Sequence, residues 1–341
     1  MAKKTTIYDI AKKLNITAAT VSRALNNNSR ISESTKKLVK ETAIELKYKP
    51  NKLALALKIG KSKNIGVIVP RINRNFFSSV IRGIEEELYP SGYHVIMCQT
   101  YDNGEREIEN VHALLDAQVD GIFISLSNAT PNHNHLKHVI EKNIPLILFD
   151  RVIDMDKVSY VKINDFKGAY DATVHLIKQG CKKIAHLTGD QSLNIYSDRL
   201  EGYKKALFDH NIKFENKYVI QFDNDREGGN ISVKKLLKLD HPPDAIFSAS
   251  DHVALGVIKE LKSKGYMIPK DFCVIGFSNE PFTNFMEMPI SSVDQFPLKM
   301  GKMVAKVFLE QVDGKIAEMG KKVVIEPKLF IKKSSDRLNL S

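Results

Sequence analysis

The sequence has no run of 18 or more apolar residues, so no membrane-spanning helix is expected. It opens Met1-Ala-Lys-Lys-Thr-Thr-Ile-Tyr-Asp9, which leads into an amphipathic segment and lacks the long apolar stretch of a secretory signal. Cysteine is scarce: Cys98, Cys181 and Cys273 are scattered and form no CxxC pair, which argues against a disulfide framework or a cysteine zinc site. The P-loop, GxGxxG, GxSxG and HExxH strings are all missing. These absences point to a soluble, cytoplasmic, non-enzymatic protein without a cofactor.

What is present divides unevenly. With 341 residues, 43% hydrophobic and 27% charged, the chain is long and apolar enough for two domains or a large α/β body with a small appendage. Its net charge is +11, yet residues 1–60 hold 13 Lys and Arg against 4 Asp and Glu, while the remainder holds 38 against 36. The excess positive charge sits in the first sixth, which suits a module for nucleic acid or an anionic surface joined to a nearly neutral body.

In that basic head, Ile7, Ile10, Ala11 and Leu14 recur at helical spacing, and Asn15 tolerates the left-handed conformation of a tight turn. Thr17 is a candidate N-cap for a second helix, from Ala18 to about Leu25, with Val21, Ala24 and Leu25 inward. A third helix follows Ser32 to about Leu46, with Leu38, Val39, Ala43 and Leu46 inward. The pattern is that of a helix-turn-helix, whose second helix enters the major groove. A plain three-helix bundle with solvating lysines is the alternative. Against it, the outward residues Thr17, Ala18, Ala19, Ser22, Arg23 and Asn26 include no acid.

Three strings resemble the DNA-binding head of the lactose-repressor (LacI/GalR) family: Thr6-Ile-Tyr-Asp-Ile-Ala11, Thr20-Val-Ser-Arg-Ala-Leu-Asn26 and Glu45-Leu-Lys-Tyr-Lys-Pro-Asn51. The resemblance runs from residue 5 to about 333. It implies that Ala18, Ala19 and Arg23 read base edges. It implies that Tyr8, Thr20, Ser22, Asn26 and Tyr48 hold phosphates, with Thr6, Thr17 and Asn51 also at the DNA. The division is physically sensible, since Arg bridges guanine O6 and N7, Ala touches a thymine methyl, and hydroxyls or amides position the backbone. Residues 50–60 are either a buried helix of the body or, by the resemblance, a hinge helix in the minor groove, with Leu57 as a wedge and Ala54 allowing close approach. Leu55 stands where the family often carries Arg. The domain division expected is 1–49 for the head, 50–64 for hinge and linker, and 65–341 for the body.

From residue 65, β-rich runs alternate with helical patterns. Candidate strands are 65–69, 94–98, 121–125, 145–149, 183–187, 218–221, 244–249 and 272–276. Such alternation predicts parallel sheets covered by helices, and about eight units imply two lobes with a cleft at the strand ends. This matches the periplasmic-binding-protein-like body of the family. The stretch from Ser291 to about Lys333 is expected to cross back between lobes. His133, His135 and His138 read as an exposed polar helix start rather than a metal site, so no metal is expected.

By the resemblance, Phe76, Phe77, Asp150, Arg151, Arg199, Asp251 and Ser278 form the effector site. The Phe pair could equally be core, whereas Arg199 belongs to Arg199-Leu-Glu-Gly-Tyr203, similar to a family effector motif. Gly276-Phe-Ser-Asn279 stands where the family usually has Gly-Tyr/Phe-Asp, so Ser278 replaces a carboxylate that accepts sugar hydroxyls. Losing an acid beside two arginines suits an acidic sugar. The resulting expectation is a homodimeric repressor on a pseudo-palindromic operator, released or engaged by a small carbohydrate-type effector. The dimer is favoured by the lack of a heptad-rich tail after Lys333. A trigger by a partner protein and a plain sugar-binding receptor are the alternatives.

Overall fold

The computed structural model describes residues 5–48, 60–128, 132–222, 226–314 and 320–339. The chain separates into two compact units after Ser62. In the first, α1 (Ile7–Leu14), α2 (Ala18–Leu25) and α3 (Glu33–Glu45) close on Ile10, Val21, Ala24 and Val39, all fully buried. Asn15 ends α1 in the left-handed conformation, φ 53°, which turns the chain into α2. The inward face of α3 differs from expectation. Leu38 is half-exposed, while Lys36 and Thr42 turn inward with Val39 and Ala43. Thr42 tolerates this because its hydroxyl donates to the Leu38 carbonyl at 2.9 Å, and Lys36 pairs with Glu33 at 2.6 Å.

The second unit holds two six-stranded sheets. The first lobe contains β1 (Asn64–Val69), β2 (His94–Gln99), β3 (Gly121–Ile124), β4 (Leu146–Phe149) and β5 (Ser159–Ile163). Its helices are α4 (Asn75–Leu88), α5 (Gly104–Asp116) and α6 (Asn134–Glu141). The second lobe contains β6 (Ile184–Thr188), β7 (Val219–Gln221), β8 (Ala245–Ser248), β9 (Cys273–Ser278) and β10 (Ser291–Asp294). Its helices are α7 (Asp165–Lys178), α8 (Asn194–Asp209), α9 (Arg226–Leu236), α10 (Asp251–Ser263) and α11 (Phe282–Phe285). After β10 the chain returns to pack α12 (Pro297–Val312) on α4, adds β11 (Lys322–Ile325) to the first sheet, and ends with β12 (Lys328–Phe330) on the second.

Among the described residues all strand pairings are parallel except β10 with β12. The central strands β3, β4 and β8 are buried throughout because helices cover both faces. Three short segments therefore join the lobes: around Asn164, at Gln295-Phe296 and at Glu326-Pro327. Gly83 on α4 and Gly301 on α12 meet reciprocally. A Cβ on Gly301 would lie 2.0 Å from the Val80 carbonyl oxygen, and one on Gly83 would lie 2.3 Å from that of Leu298. That contact fixes the returning helix to the first lobe.

Each expected strand has its counterpart. Absent from the expectation were β5, β10, β11 and β12, of which the last two are short edge strands. The polar Ser-Ser of β10 and the alternating burial of β5 hid them. Among the described residues, no helix is long and apolar enough to cross a membrane.

Candidate nucleic-acid interface and ligand cleft

In the head, packing leaves one side of α2 outward. Ala19, Arg23 and Asn26 are exposed, Ala18, Thr20 and Ser22 are half-buried, and Tyr8 on α1 is 71% exposed. Thr6 caps α1: its backbone N–H and its hydroxyl both donate to Asp9 Oδ2, at 2.8 and 2.7 Å. Thr17 caps α2, its Oγ1 accepting the Thr20 N–H at 3.1 Å and pairing with the Thr20 hydroxyl at 2.9 Å. Asn26 Nδ2 donates to the Ser22 carbonyl at 2.7 Å, and Tyr48 packs against the head core. Arg23 and the small Ala19 thus stand on one open helix face, with hydroxyls and an amide around them. Asn51, Ala54 and Leu57 lie outside the described residues.

In the body, strand ends from both lobes converge on a cleft of about 670 Å³, its open mouth included. Phe76, Phe77, Asp150, Arg151, Arg199 and Ser278 all line it. The Phe pair is both core and wall: each ring is buried, and the two meet edge to face at 5.1 Å. Arg151 is buried and binds Asp102 through Nη1, which also donates to the Leu126 carbonyl and to Asn128, both at 3.3 Å. Its Nε is buried without a partner. Burial opposes the charge of Arg151, but Asp102, Tyr196 and Asp150 together outweigh it, and its pKa lies above the ordinary value.

Arg199 is held by Asp165 and a backbone carbonyl. Nε and Nη2 reach Asp165 Oδ1 at 2.8 and 2.7 Å, Nη1 donates to the Ala249 carbonyl at 2.8 Å, and the guanidinium lies 3.7 Å from the Phe277 ring centre. Burial pushes Asp165 up to about 7 against the pull of Arg199. Asp150 sits in left-handed backbone, φ 59°, receives Ser125 Oγ at 3.3 Å, and is also pushed upward by burial.

Asp251 is not in the wall. It is fully buried beneath the loop after β9, where Oδ1 accepts the Ser292 hydroxyl at 2.6 Å and Oδ2 accepts the Glu280 backbone N–H at 2.8 Å. Gly276 makes room for it, since a Cβ there would lie 2.1 Å from Asp251 Oδ1. Strained backbone gathers here as well: Ser278 and Asn279 have φ 124° and 50°, and Phe296, after the cleft residue Gln295, has φ 50°.

Several cleft residues escaped sequence reasoning, notably Arg71, Arg74, Asp102, His252, Glu280 and Gln295. Asp165 was missed with strand β5, which it follows. The histidines need a correction too. His135 is buried, not exposed, and its Nε2 pairs with Glu107 Oε1 at 2.9 Å, while Glu107 Oε2 accepts the Ser127 N–H at 2.6 Å. That carboxylate comes from α5, 28 residues earlier, so local spacing could not show it. Among the described residues no group of three or more His, Cys, Asp and Glu is placed to hold a metal ion.

Comparison with known proteins finds two family matches along the chain. Residues 6–51 match the model of bacterial regulatory proteins of the lacI family, and residues 62–333 match periplasmic binding proteins and the sugar binding domain of the LacI family. The HTH-type transcriptional repressor PurR of Actinobacillus pleuropneumoniae is 30% identical over 98% of this chain and 99% of its own. Catabolite control protein A of Priestia megaterium is 32% identical over 92% and 96%. In fold, the lac repressor dimer bound to operator superposes with a TM-score of 0.86 at 23% identity, covering 98% of this chain and 99% of that one. The chain belongs to the LacI family of bacterial regulatory proteins.

Proposed function

We propose that this chain is an operator-binding transcriptional repressor that acts as a homodimer in the cytoplasm. Its DNA affinity is set by an acidic sugar-type effector bound between the two lobes of the body. The head would read a pseudo-palindrome, Arg23 and Ala19 addressing base edges while Tyr8, Thr20, Ser22 and Asn26 hold phosphates. Support for an effector comes from the cleft itself, in which an edge-to-face pair of aromatic rings from one lobe shares the lining with buried, charge-paired arginines from both.

The acidic class rests on one observation above the rest. Four arginines, Arg71, Arg74, Arg151 and Arg199, line the cleft against three acids, Asp102, Asp150 and Glu280, and Ser278 adds no carboxylate. Because Arg199 is committed to Asp165, the buried Nε of Arg151 is the donor best suited to an anionic group. Binding that alters the angle about the three inter-lobe segments would move the first lobe, into which the chain from the head enters at β1.

Fluorescence anisotropy on labelled upstream DNA, against scrambled DNA at fixed salt, tests this reading. Release or tightening by uronic acids or sugar phosphates is the expected outcome. A response confined to neutral sugars would remove the acidic effector, and no preference for upstream DNA would remove the operator claim for that region.

A further inference from the structure

Glu280 links the two lobes across the cleft. Its backbone belongs to the second lobe and is held there: the N–H donates to Asp251 Oδ2 at 2.8 Å, and the carbonyl accepts the Thr283 hydroxyl at 2.7 Å and the Thr283 N–H at 2.9 Å. Lys332 Nζ reinforces the loop by donating to Asn279 Oδ1 at 3.0 Å and to Thr283 Oγ1 at 2.8 Å. The side chain reaches the other way. Its carboxylate accepts the backbone N–H of Phe76 in the first turn of α4, and Arg74 acts on the same charge. Both Arg74 and Glu280 line the cleft.

The site is therefore a helix N-terminus plus a cationic side chain, already occupied by a buried carboxylate, with the unpartnered Nε of Arg151 in the same wall. Other contacts cross between the lobes alongside it. The Asn194 amide on α8 accepts the Val152 N–H at 2.8 Å and donates to the Asp150 carbonyl at 3.3 Å, and Lys162 pairs with Asp198 at 3.0 Å.

We propose that the first turn of α4 is a carboxylate seat, that Glu280 is its internal occupant and latches the lobes through it, and that the acid group of the effector competes with Glu280 for the seat. This rests on the reading of the cleft as the site of an acidic effector and assigns the subsite and the discrimination. A neutral sugar brings no charge to replace that of Glu280 beside Arg74, whereas a uronate does. Burial raises the pKa of Glu280 above its ordinary value although Phe76 and Arg74 pull it down, so the internal carboxylate is not fully compensated for leaving water. An occupant displaced at small cost suits exchange. The fixed backbone means that displacement requires only side-chain rotation, after which one cross-cleft contact is gone.

The test uses the full-length protein, its Glu280→Gln and Glu280→Ala variants, and calorimetric titration with D-glucuronate and D-galacturonate beside glucose and galactose. Removal of the competing charge should tighten uronate binding at least about fivefold, more in Glu280→Ala than in Glu280→Gln, with neutral sugars unaffected; this corresponds to about 1 kcal/mol or more. In the absence of sugar, the Phe76 amide should exchange with deuterium faster in Glu280→Ala than in wild type. Uronates that bind wild type and both variants equally, or wild type more tightly, would overturn the seat while leaving the acidic effector intact. An unaltered Phe76 amide would overturn the latch. No uronate binding to any form would overturn both the seat and the acidic effector.

Discussion

Asp251 Oδ2 accepts the backbone N–H of Glu280 at 2.8 Å, and its Oδ1 accepts the Ser292 hydroxyl at 2.6 Å. A residue that sequence resemblance assigned to the ligand wall thus supports the loop from below. Asp251→Ala leaves a buried hydroxyl and a buried N–H unpaired, each costing roughly 1–3 kcal/mol. Urea denaturation should show a loss of about 2–4 kcal/mol, with Gly276→Ala comparably harmful because its Cβ meets the same carboxylate.

The same carboxyl predicts a pH slope. Burial pushes Asp251 up to about 7 from the ordinary 3.8, so between those values the folded state holds a proton that the unfolded chain has released. Its contribution to stability is fully present below the unfolded value and falls as pH rises through the folded one. Fully buried His186, pushed down to about 3, acts in the opposite direction between there and its ordinary 6.5. The difference between wild type and Asp251→Asn cancels His186 and isolates the carboxyl. That difference should move against wild type by on the order of 2 kcal/mol between about pH 5 and about pH 8. A flat difference would mean that Asp251 is ionised throughout.

Arg199 and Asp165 form a buried pair at 2.7 Å, so removing either partner strands the other. Arg199→Ala should cost about 3–5 kcal/mol in denaturant, and Asp165→Ala should cost about as much. The double variant should recover part of this loss, giving a non-additive cycle. Additive losses would show that the pair contributes no coupling.

How legible this arrangement was depends on how local each signal is. The head was readable because its helices bury residues at fixed spacing and cap themselves with their own Thr6, Thr17 and Ser32. Leu38 was misread because spacing alone does not choose between adjacent apolar positions, and the chain turned Thr42 inward instead. The cleft's outline was readable from strand ends. Its charge pairing was not: Asp102 with Arg151, Asp165 with Arg199 and Glu107 with His135 are joined across 49, 34 and 28 residues of sequence. Asp165 follows β5, which its alternating burial concealed, whereas Glu280 follows the expected strand β9 and no local signal marked its side chain. The reversal of Asp251 from wall to support was likewise invisible without the room left by Gly276.

On the head, Leu38→Gln should change stability by no more than about 0.5 kcal/mol because the side chain is half-exposed. Val39→Ala, one residue on and fully buried, should cost about 1–3 kcal/mol. Equal costs would contradict the observed face of α3.

Arg23→Ala should weaken binding to the specific operator by about 1–3 kcal/mol and leave non-specific DNA binding nearly unchanged. Equal losses on specific and scrambled duplexes, read by anisotropy, would make Arg23 a phosphate contact instead.

The most direct test of the account is thermodynamic linkage between cleft and DNA. Uronate affinity is measured by calorimetry with and without saturating operator duplex, and operator affinity by anisotropy with and without saturating uronate. Coupling is reciprocal, so the two factors must be equal, and both should collapse to one when Arg151→Ala removes the cleft donor. Uronate binding that is indifferent to operator would contradict the claim that the cleft controls the head.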